Sequence, residues 1–356
     1  MNNAVKIMNA LKDSDFDAIL LFDERNILYS TGFLASDSAA LISKDKAFLF
    51  TDARYIEDAQ KKCFAEVESV LCNREQPIIK SISEKVSELG IKILGFEGEH
   101  ISYQLHKRLI GDIPAELLPA DGIIRSLRER KSKDELKSLI EAQRIAERAL
   151  EDVLLVIKPG IKEREIAAEL TYKMLIYGGE GNSFPPICLT GANTSVPHGV
   201  PGDTAVSVGD FVTMDFGCVK NGYCSDMTRT VAVGFATDEM KKVYYAVLEA
   251  QLAGIKAARP GVTGAAVHKA AADVIEAAGY GEYFTHGFGH GVGLNIHEAP
   301  NASPANESPL PEGAVISAEP GIYMPGKFGV RIEDVLYLEK DGNEVITAAP
   351  KELIIL

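Results

Sequence analysis

The chain has 356 residues, of which 46% are hydrophobic and 25% are charged, as is usual for a globular protein. Its 51 acidic and 37 basic residues give a formal net charge of −14, which argues against binding to nucleic acid or to anionic membranes. No apolar run approaches the about 20 residues of a membrane span, and no signal peptide is evident. The five cysteines lack paired CxxC spacing, so we expect a cytoplasmic protein with reduced thiols.

A small α/β domain is predicted at the N-terminus, because short β-like runs there alternate with polar helical stretches. The runs are "DAILLF", "AALISKDKAFLFTD" and "IKILGFEG", at 17–22, 39–52 and 91–98. A helix is predicted over 75–90, with Gly90 at its end. The length of the chain also favours a second domain.

The segment 118–136 is basic and punctuated by Pro and Gly, which fits a domain boundary. We therefore place an N-terminal domain at 1–125 and a C-terminal domain at 126–356. Ser132 and Glu135 form an S-x-x-E capping box, which predicts that a helix begins there.

The C-terminal domain contains a weak internal repeat. Two long helices end at Pro159-Gly160 and Pro260-Gly261, 101 residues apart, and each is followed by a second helix. A histidine-bearing loop and an acidic hairpin come next in both cases. The order predicts two similar halves around a shared centre, although Pro-Gly after a helix is common enough for the match to be chance. The four helices are predicted over 133–157, 162–177, 238–258 and 264–278.

The first acidic hairpin is "FVTMDFGCVKNGYCSDMTRTVAV", at 211–233. Asn221-Gly222 is the strongest short signal for a two-residue hairpin turn. Pairing outward from this turn sets 215 opposite 228, so Asp215 and Asp226 are diagonal neighbours on one face, with Cβ atoms roughly 7 Å apart or less. Thr228 shares that face, and we expect it to hydrogen-bond to Asp215.

The second acidic hairpin is "AVISAEPGIYMPGKFGVRIEDVLYL", at 314–338, with its turn near Pro325-Gly326. Glu319 and Glu333 are equidistant from Gly326, so we predict that they face each other. Arg331 shares a face with Glu333 by the two-residue period of a strand.

A histidine-rich segment, "THGFGHGVGLNIHE" at 285–298, precedes the second hairpin. Glycines at alternate positions around His290 allow a close approach of the backbone. A single strand carboxylate is most often solvated, but these four lie among apolar residues, where unpaired carboxylates are costly. Four carboxylates with one imidazole predict a site for two divalent metal ions, Mn²⁺ foremost, with Co²⁺, Zn²⁺ and Fe²⁺ also compatible.

Five residues resemble, in order and spacing, the metal ligands of the pita-bread metallopeptidases, family M24: Asp215, Asp226, His290, Glu319 and Glu333. Methionine aminopeptidase, aminopeptidase P and prolidase belong to that family. The segments "DERNILYSTGF" and "FTDARYIEDA" resemble the N-terminal domain of its proline-specific and creatinase branches. The resemblance implies an α+β chain, with a C-terminal pita-bread fold of two pseudo-symmetric halves and a smaller, creatinase-type α/β N-terminal domain.

Further residues distinguish the branches of the family. His198 in "SVPHG", His286 and His297 are similar to the extra histidines of the proline-specific members, and Arg331 in "VRIED" to their arginine. Methionine aminopeptidases typically lack the arginine and the equivalent of His286, and creatinase has no metal. The resemblance therefore implies an Xaa-Pro peptidase, an aminopeptidase P or a prolidase, that acts on short proline-containing peptides as a homodimer. The alternatives are a methionine-type or broader aminopeptidase and a metal-free binding module of the same fold.

The resemblance also assigns the metal-binding roles. Asp226 and Glu333 would bridge the two metal ions, Asp215 would complete the shell of one, and His290 with Glu319 that of the other. Glu319 would in addition accept a proton during catalysis.

The histidines and the arginine receive roles in substrate binding. His198 and His297 would bind the substrate, stabilise the tetrahedral intermediate and give a proton to the prolyl nitrogen. His286 and Arg331 would position the substrate or support the metal ligands from behind. The alternatives are a hydrogen-bonded structural histidine and a salt bridge between Arg331 and Glu333.

Two residues depart from the family pattern. Phe288 replaces a Thr or a small aliphatic residue, and we expect it to narrow the pocket beside His290. Asn295 stands in "LNIHE", where "LEIHE" is usual.

Overall fold

The computed structural model describes residues 2–356, which divide into two compact units, one ending at Arg128 and the other spanning Glu129–Leu356. The division falls three residues after the end predicted for the N-terminal domain at 125. No helix within residues 2–356 is long and apolar enough to cross a membrane.

The N-terminal unit contains a six-stranded sheet with the strand order β4-β3-β2-β1-β5-β6. The predicted run 39–52 forms two antiparallel strands, β2 and β3, rather than one. The predicted helix over 75–90 is α4, and the chain leaves it at Gly90 with a φ of 64°. The strands are β1 Ala18–Leu21, β2 Ala39–Ser43, β3 Ala47–Thr51, β4 Val67–Leu71, β5 Ile93–Phe96 and β6 Glu116–Pro119. The helices are α1 Asn3–Lys12, α2 Glu24–Thr31, α3 Ile56–Lys62, α4 Ile78–Leu89, α5 Tyr103–Asp112 and α6 Asp121–Arg128.

The central strands β1, β2 and β3 are buried at every residue. Burial on both faces explains why their sequences are continuous apolar runs rather than alternating ones. The sheet joins antiparallel pairs (β1 with β2, β2 with β3) to parallel pairs (β3 with β4, β1 with β5, β5 with β6).

The C-terminal unit contains two pairs of helices, and all four lie where the sequence predicts them. The capping box forms at the start of α7, where Ser132 accepts from the backbone of Glu135 and the Glu135 carboxylate accepts from Ser132. Both Pro-Gly pairs lie a few residues beyond the ends of α7 and α9, and each glycine has a positive φ, 95° at Gly160 and 84° at Gly261. The helices are α7 Lys133–Leu154, α8 Glu163–Ile176, α9 Asp238–Ala257 and α10 Gly264–Ala277.

Each helix pair of this unit precedes a set of strands and packs with it into a core. The first core joins α7 and α8 to β9 and β12, and the second joins α9 and α10 to β15 and β18. The strands of the first half are β7 Gly181–Asn182, β8 Ile187–Thr190, β9 Phe211–Phe216, β10 Cys218–Lys220, β11 Tyr223–Cys224 and β12 Met227–Ala232. Those of the second half are β13 Gly289–Gly291, β14 Glu298–Ala302, β15 Val315–Ala318, β16 Gly321–Met324, β17 Phe328–Arg331, β18 Asp334–Glu339 and β19 Gly342–Val345.

Phe288 belongs to the core of the second half. Its side chain is fully buried, and its ring packs against α9 at Gly254, where a Cβ atom would lie 2.2 Å from the ring. It is not among the residues that line the cavity described below. The expectation that Phe288 narrows the pocket beside His290 is therefore wrong. Phe288 precedes β13, and the register of that strand shifts between Gly289 and Gly291, so the regular alternation that would put Phe288 and His290 on one face is broken.

Gly254→Ala is expected to destabilise the protein. The alanine gains about 1 kcal/mol of helix propensity, but overpacking against the immobile ring of Phe288 costs about 1–3 kcal/mol and the backbone must also shift. The measurement is the midpoint of thermal unfolding, which should fall.

The matched control is Gly111→Ala in α5, where nothing lies within 4 Å of the added Cβ atom. This change should raise the midpoint slightly. A stabilising effect at both positions would contradict the tight packing of Phe288 against α9.

Candidate metal centre

Asp215 and Asp226 lie on the hairpin that runs from β9 to β12. Its turn is Asn221-Gly222, where both residues have the positive φ of a tight hairpin turn, 51° and 78°. Residue 220 pairs with 223 and residue 215 with 228, so the predicted register is confirmed. The two aspartates consequently share a face of the hairpin, and both are buried.

Glu319 and Glu333 lie on the second hairpin at opposing positions. Gly321 pairs with Arg331 in one ladder, and Ala318 pairs with Asp334 in the next. Both ladders follow the register predicted from the distance to Gly326. The two glutamates lie between these ladders, where the strands part and leave the side chains free to point into the centre of the unit.

His290 is the middle residue of β13, and its glycine neighbours explain how this strand fits between β14 and β15. A Cβ atom at Gly289 would lie 2.0 Å from the carbonyl oxygen of Ser317, and one at Gly291 would lie 2.4 Å from that of Glu298. The His290 Nδ1 atom lies 3.1 Å from the Gly291 carbonyl, which only accepts, so Nδ1 carries a proton. Nε2 therefore faces the carboxylates.

All five predicted ligands line one cavity of about 300 Å³, so the structure brings the set together. His290 Nε2 lies 3.2 Å from Glu319 Oε1 and 3.5 Å from Asp226 Oδ2. His198 and His297 also line this cavity, and both are exposed. Its remaining wall is mostly apolar and consists of Phe184, Pro185, Pro186, Ile187, Gly199, Val200, Pro201 and Ile296.

The pKa values of the carboxylates in the cavity are strongly shifted by burial and by neighbouring charges. Burial, together with the charges of neighbouring carboxylates, raises the pKa of Asp226 and of Glu333 well above the ordinary range, and burial also raises the pKa of Asp215. Glu319 is the exception, because the hydrogen bond and charge of His290 overcome burial and hold its pKa at about 2. A cation bound between several of these carboxylates would stabilise their charged forms at once.

The donor set fits divalent metal ions. Ligand atoms of Asp226, His290 and Glu333 all lie within 4.8 Å of one another. Asp215 Oδ1 and Glu333 Oε1 are buried without a hydrogen-bond partner, as expected for oxygens that a metal ion would take. His290 presents Nε2 while its other nitrogen is hydrogen-bonded, which is the usual arrangement of a metal-binding histidine. Carboxylate oxygens with a single imidazole favour a hard or borderline divalent ion.

Arg331 is buried behind the carboxylates and holds them. Its Nη2 atom donates to Asp215 Oδ2 at 2.6 Å, and its Nε atom donates to Thr228 Oγ1 at 3.0 Å. Thr228 in turn donates to Glu333 Oε2 at 2.7 Å. The expected hydrogen bond from Thr228 to Asp215 is therefore wrong, because the second hairpin brings Glu333 within reach of Thr228, whose single hydroxyl proton goes to Glu333.

His286 is linked to Arg331 through Tyr323. Arg331 Nη1 donates to the Tyr323 hydroxyl at 2.9 Å, and His286 Nε2 lies 2.9 Å from the same oxygen. His286 Nδ1 faces the Gly287 carbonyl at 2.8 Å and must carry the proton, while burial lowers the pKa of the ring. Nε2 of the neutral ring thus accepts a hydrogen bond from the Tyr323 hydroxyl. Neither His286 nor Arg331 lines the cavity, so a part in substrate binding stays a prediction for both.

Tyr323 is the residue of this network that the sequence analysis missed. The register that pairs Gly321 with Arg331 makes Tyr323 a diagonal neighbour of Arg331 on the same face. That register was available from the turn at Gly326, so the tyrosine could have been found by extending the pairing one step.

The fold and the residues at its centre define a metallopeptidase with a creatinase-type N-terminal domain. Metallopeptidase family M24 matches residues 137–340, and the Creatinase/Prolidase N-terminal domain matches residues 5–130. The chain therefore belongs to metallopeptidase family M24, and the predicted pita-bread fold is confirmed.

Relatives cover the chain along its whole length. A solved Xaa-Pro dipeptidase from Bacillus anthracis is 42% identical, with 99% of each chain covered and a TM-score of 0.94. A solved X-Pro aminopeptidase from Thermotoga maritima MSB8 is 36% identical, with 100% of each chain covered and a TM-score of 0.91. An Xaa-Pro dipeptidase of Pyrococcus horikoshii is 37% identical over 360 residues, 99% of each sequence.

Asp226→Asn is expected to abolish stabilisation by divalent cations. A cation that binds only the folded state stabilises it by about 2.7 kcal/mol at 100 times its Kd, and the substitution removes a central carboxylate. The measurement is the shift of the thermal unfolding midpoint on addition of MnCl₂ to metal-free protein.

The control is Asp203→Asn, which removes an exposed carboxylate remote from the cavity lining. This variant should keep the full MnCl₂ shift. An equal shift in wild-type protein and Asp226→Asn would refute the centre.

Proposed function

We propose that the protein uses two divalent metal ions to hydrolyse the peptide bond before proline, in Xaa-Pro dipeptides or at the Xaa-Pro N-termini of short peptides. The observation that carries this proposal is the convergence of four carboxylates and His290 on the floor of a cavity whose rim carries His198 and His297. A cavity of about 300 Å³ is at the small end for ligand pockets, which supports a short substrate.

In this proposal Asp215, Asp226, His290, Glu319 and Glu333 would hold the two ions. Mn²⁺ is the proposed ion, with Co²⁺, Zn²⁺ or Fe²⁺ as alternatives. When bound, such ions lower the pKa of a water molecule from 15.7 towards about 7 and polarise a carbonyl group.

Glu319 is the proposed proton acceptor. Its low pKa in the structure depends on a protonated His290 at 3.2 Å. A histidine that binds metal is neutral, so in the loaded enzyme the charge of the ions would take the place of this partner charge. Ser317 donates to Glu319 Oε1 at 2.9 Å and leaves the second oxygen available.

His198 and His297 are proposed to act on the substrate. Both side chains are exposed at the cavity. The atoms around the His297 ring still remove part of its water, which lowers its pKa and favours a neutral ring that can donate and return a proton near pH 7. One imidazole would donate to the oxygen of the tetrahedral intermediate. The other would protonate the prolyl nitrogen, which leaves poorly without a proton.

His286 and Arg331 receive an indirect role. Arg331 fixes Asp215 and, through Thr228, Glu333, while Tyr323 fixes the neutral form of His286. We propose that they orient the carboxylates, as hydrogen-bonded partners of metal ligands commonly do.

The setting of the enzyme is part of the proposal. All five cysteines are free thiols, which supports a reducing compartment, and we propose the cytoplasm. The acidic surface argues against nucleic acid and anionic membranes as partners. The homodimer stays a prediction from family resemblance.

The substrates Ala-Pro, Ala-Pro-Ala and Met-Ala-Ser test the proposal. Mn²⁺-loaded protein is expected to release alanine from one or both proline peptides and to leave Met-Ala-Ser intact. Product analysis decides between the subclasses, since cleavage of the dipeptide alone defines a prolidase and cleavage of the tripeptide an aminopeptidase P.

Removal of metal by a chelator should abolish the activity, and MnCl₂ should restore it. Cleavage of Met-Ala-Ser alone would instead establish the methionine-type alternative. Failure to cleave any peptide, with no binding of metal, would favour the metal-free binding module.

A further inference from the structure

A buried ion pair lies directly behind the segment that carries His297. Lys131 Nζ and Glu298 Oε1 are 2.8 Å apart, and their side chains are only 1% and 10% exposed. Neither residue lines the cavity. Burial of two charges is costly, so such a pair adds little stability over an apolar one and is better explained by the geometry it fixes.

Glu298 fastens both ends of a short loop. Its Oε2 atom accepts from the backbone N–H of Asn295 at 3.2 Å, while Oε1 takes the ammonium of Lys131. Its backbone pairs with Gly291, the neighbour of His290. Gly293 closes the loop by donating its N–H to the Asn295 carbonyl at 3.0 Å. The carboxylate lies so close that a Cβ atom at Gly293 would be 2.1 Å from Oε1.

Lys131 provides a rigid anchor for this carboxylate. Its backbone N–H donates to the Gly313 carbonyl at 2.8 Å, and the next residue, Ser132, caps α7. The backbone of Lys131 is thus fixed by its own hydrogen bond to Gly313 and by the start of α7 at the next residue.

His297 itself has little packing to hold it. The side chain is exposed, and its described ring contact is an edge-to-face arrangement with His290, at 4.1 Å between centroids and 78° between planes. The direction of the ring therefore depends on the backbone of 295–298, which Glu298 fastens.

We infer that the Lys131–Glu298 pair positions His297 over the metal centre and thereby sets the rate of the reaction. This inference rests on the proposed function, in which His297 acts on the substrate. Lys131 and Glu298 are positioning residues, since neither reaches the reacting atoms.

Lys131→Met removes the charge and keeps an unbranched apolar stem. The kcat for a proline peptide is expected to fall about 10–100-fold, the usual loss for partners behind an active centre, while KM changes much less. Arg144→Met is the matched control, because it breaks an ion pair with Glu147 on α7, and neither residue lines the cavity. It should leave kcat within about twofold of wild type.

A double variant separates positioning from stability. Lys131→Met alone leaves the carboxylate of Glu298 buried without the neighbouring positive charge, so the variant is expected to be less stable. Lys131→Met with Glu298→Gln removes both charges and should recover the unfolding midpoint but not kcat. Recovery of kcat together with stability would show that the pair is merely structural and overturn the inference.

A cycle with His297→Ala tests whether the effect passes through His297. Lys131→Met should cause little further loss of kcat in the His297→Ala background, because the residue it positions is gone. The same fold loss in both backgrounds would overturn the inference.

Amide hydrogen exchange of the metal-free protein gives a readout that needs no substrate. The backbone amides of residues 293–298 should exchange faster in Lys131→Met than in wild type. Their exchange rates should be unchanged in Arg144→Met. Unchanged exchange in Lys131→Met would overturn the inference. A wild-type protein that fails to cleave proline peptides would instead refute the proposed function, while the exchange result still decides whether the pair orders the segment.

Discussion

The repulsion between four clustered carboxylates, three of them buried, is the constraint on which the rest of the C-terminal unit depends. Asp215, Asp226, Glu319 and Glu333 face a common cavity, and the neighbouring positive charge comes from Arg331 and a protonated His290. That charge does not balance the carboxylates, as the raised pKa values of Asp226 and Glu333 show. Divalent cations would resolve the imbalance, and the surrounding scaffold keeps the carboxylates together in their absence.

Local backbone and hydrogen-bond constraints hold these carboxylates in place. A two-residue turn at Asn221-Gly222 and a longer turn at Gly326 set the register of the two hairpins. Glycines beside His290 admit its strand between two others without a gap. Arg331 then spans both hairpins by contacting Asp215 and Thr228. Each device is a backbone or hydrogen-bond constraint, so the carboxylates cannot relax apart to relieve their repulsion.

The sequence predicted the parts of the structure that local rules govern. Turn residues and the two-residue period of strands place Asp215 opposite 228 and Glu319 opposite Glu333, and helix caps locate α7. The rules fail where the partner comes from elsewhere in the chain. Thr228 shares a face with Asp215, but its hydrogen bond goes to Glu333, 105 residues away. Phe288 packs on α9, which no strand pattern reveals.

The ligands are divided between the two halves of the unit. Asp215 and Asp226 come from the first hairpin, and the other three proposed ligands come from the second half, more than 60 residues later in the chain. Bound cations would therefore act as a cross-link that closes large loops of chain, and their binding free energy would be spent on docking one half against the other. Neither half would hold the ions alone, so bound ions would hold the two halves in the arrangement that forms the catalytic centre.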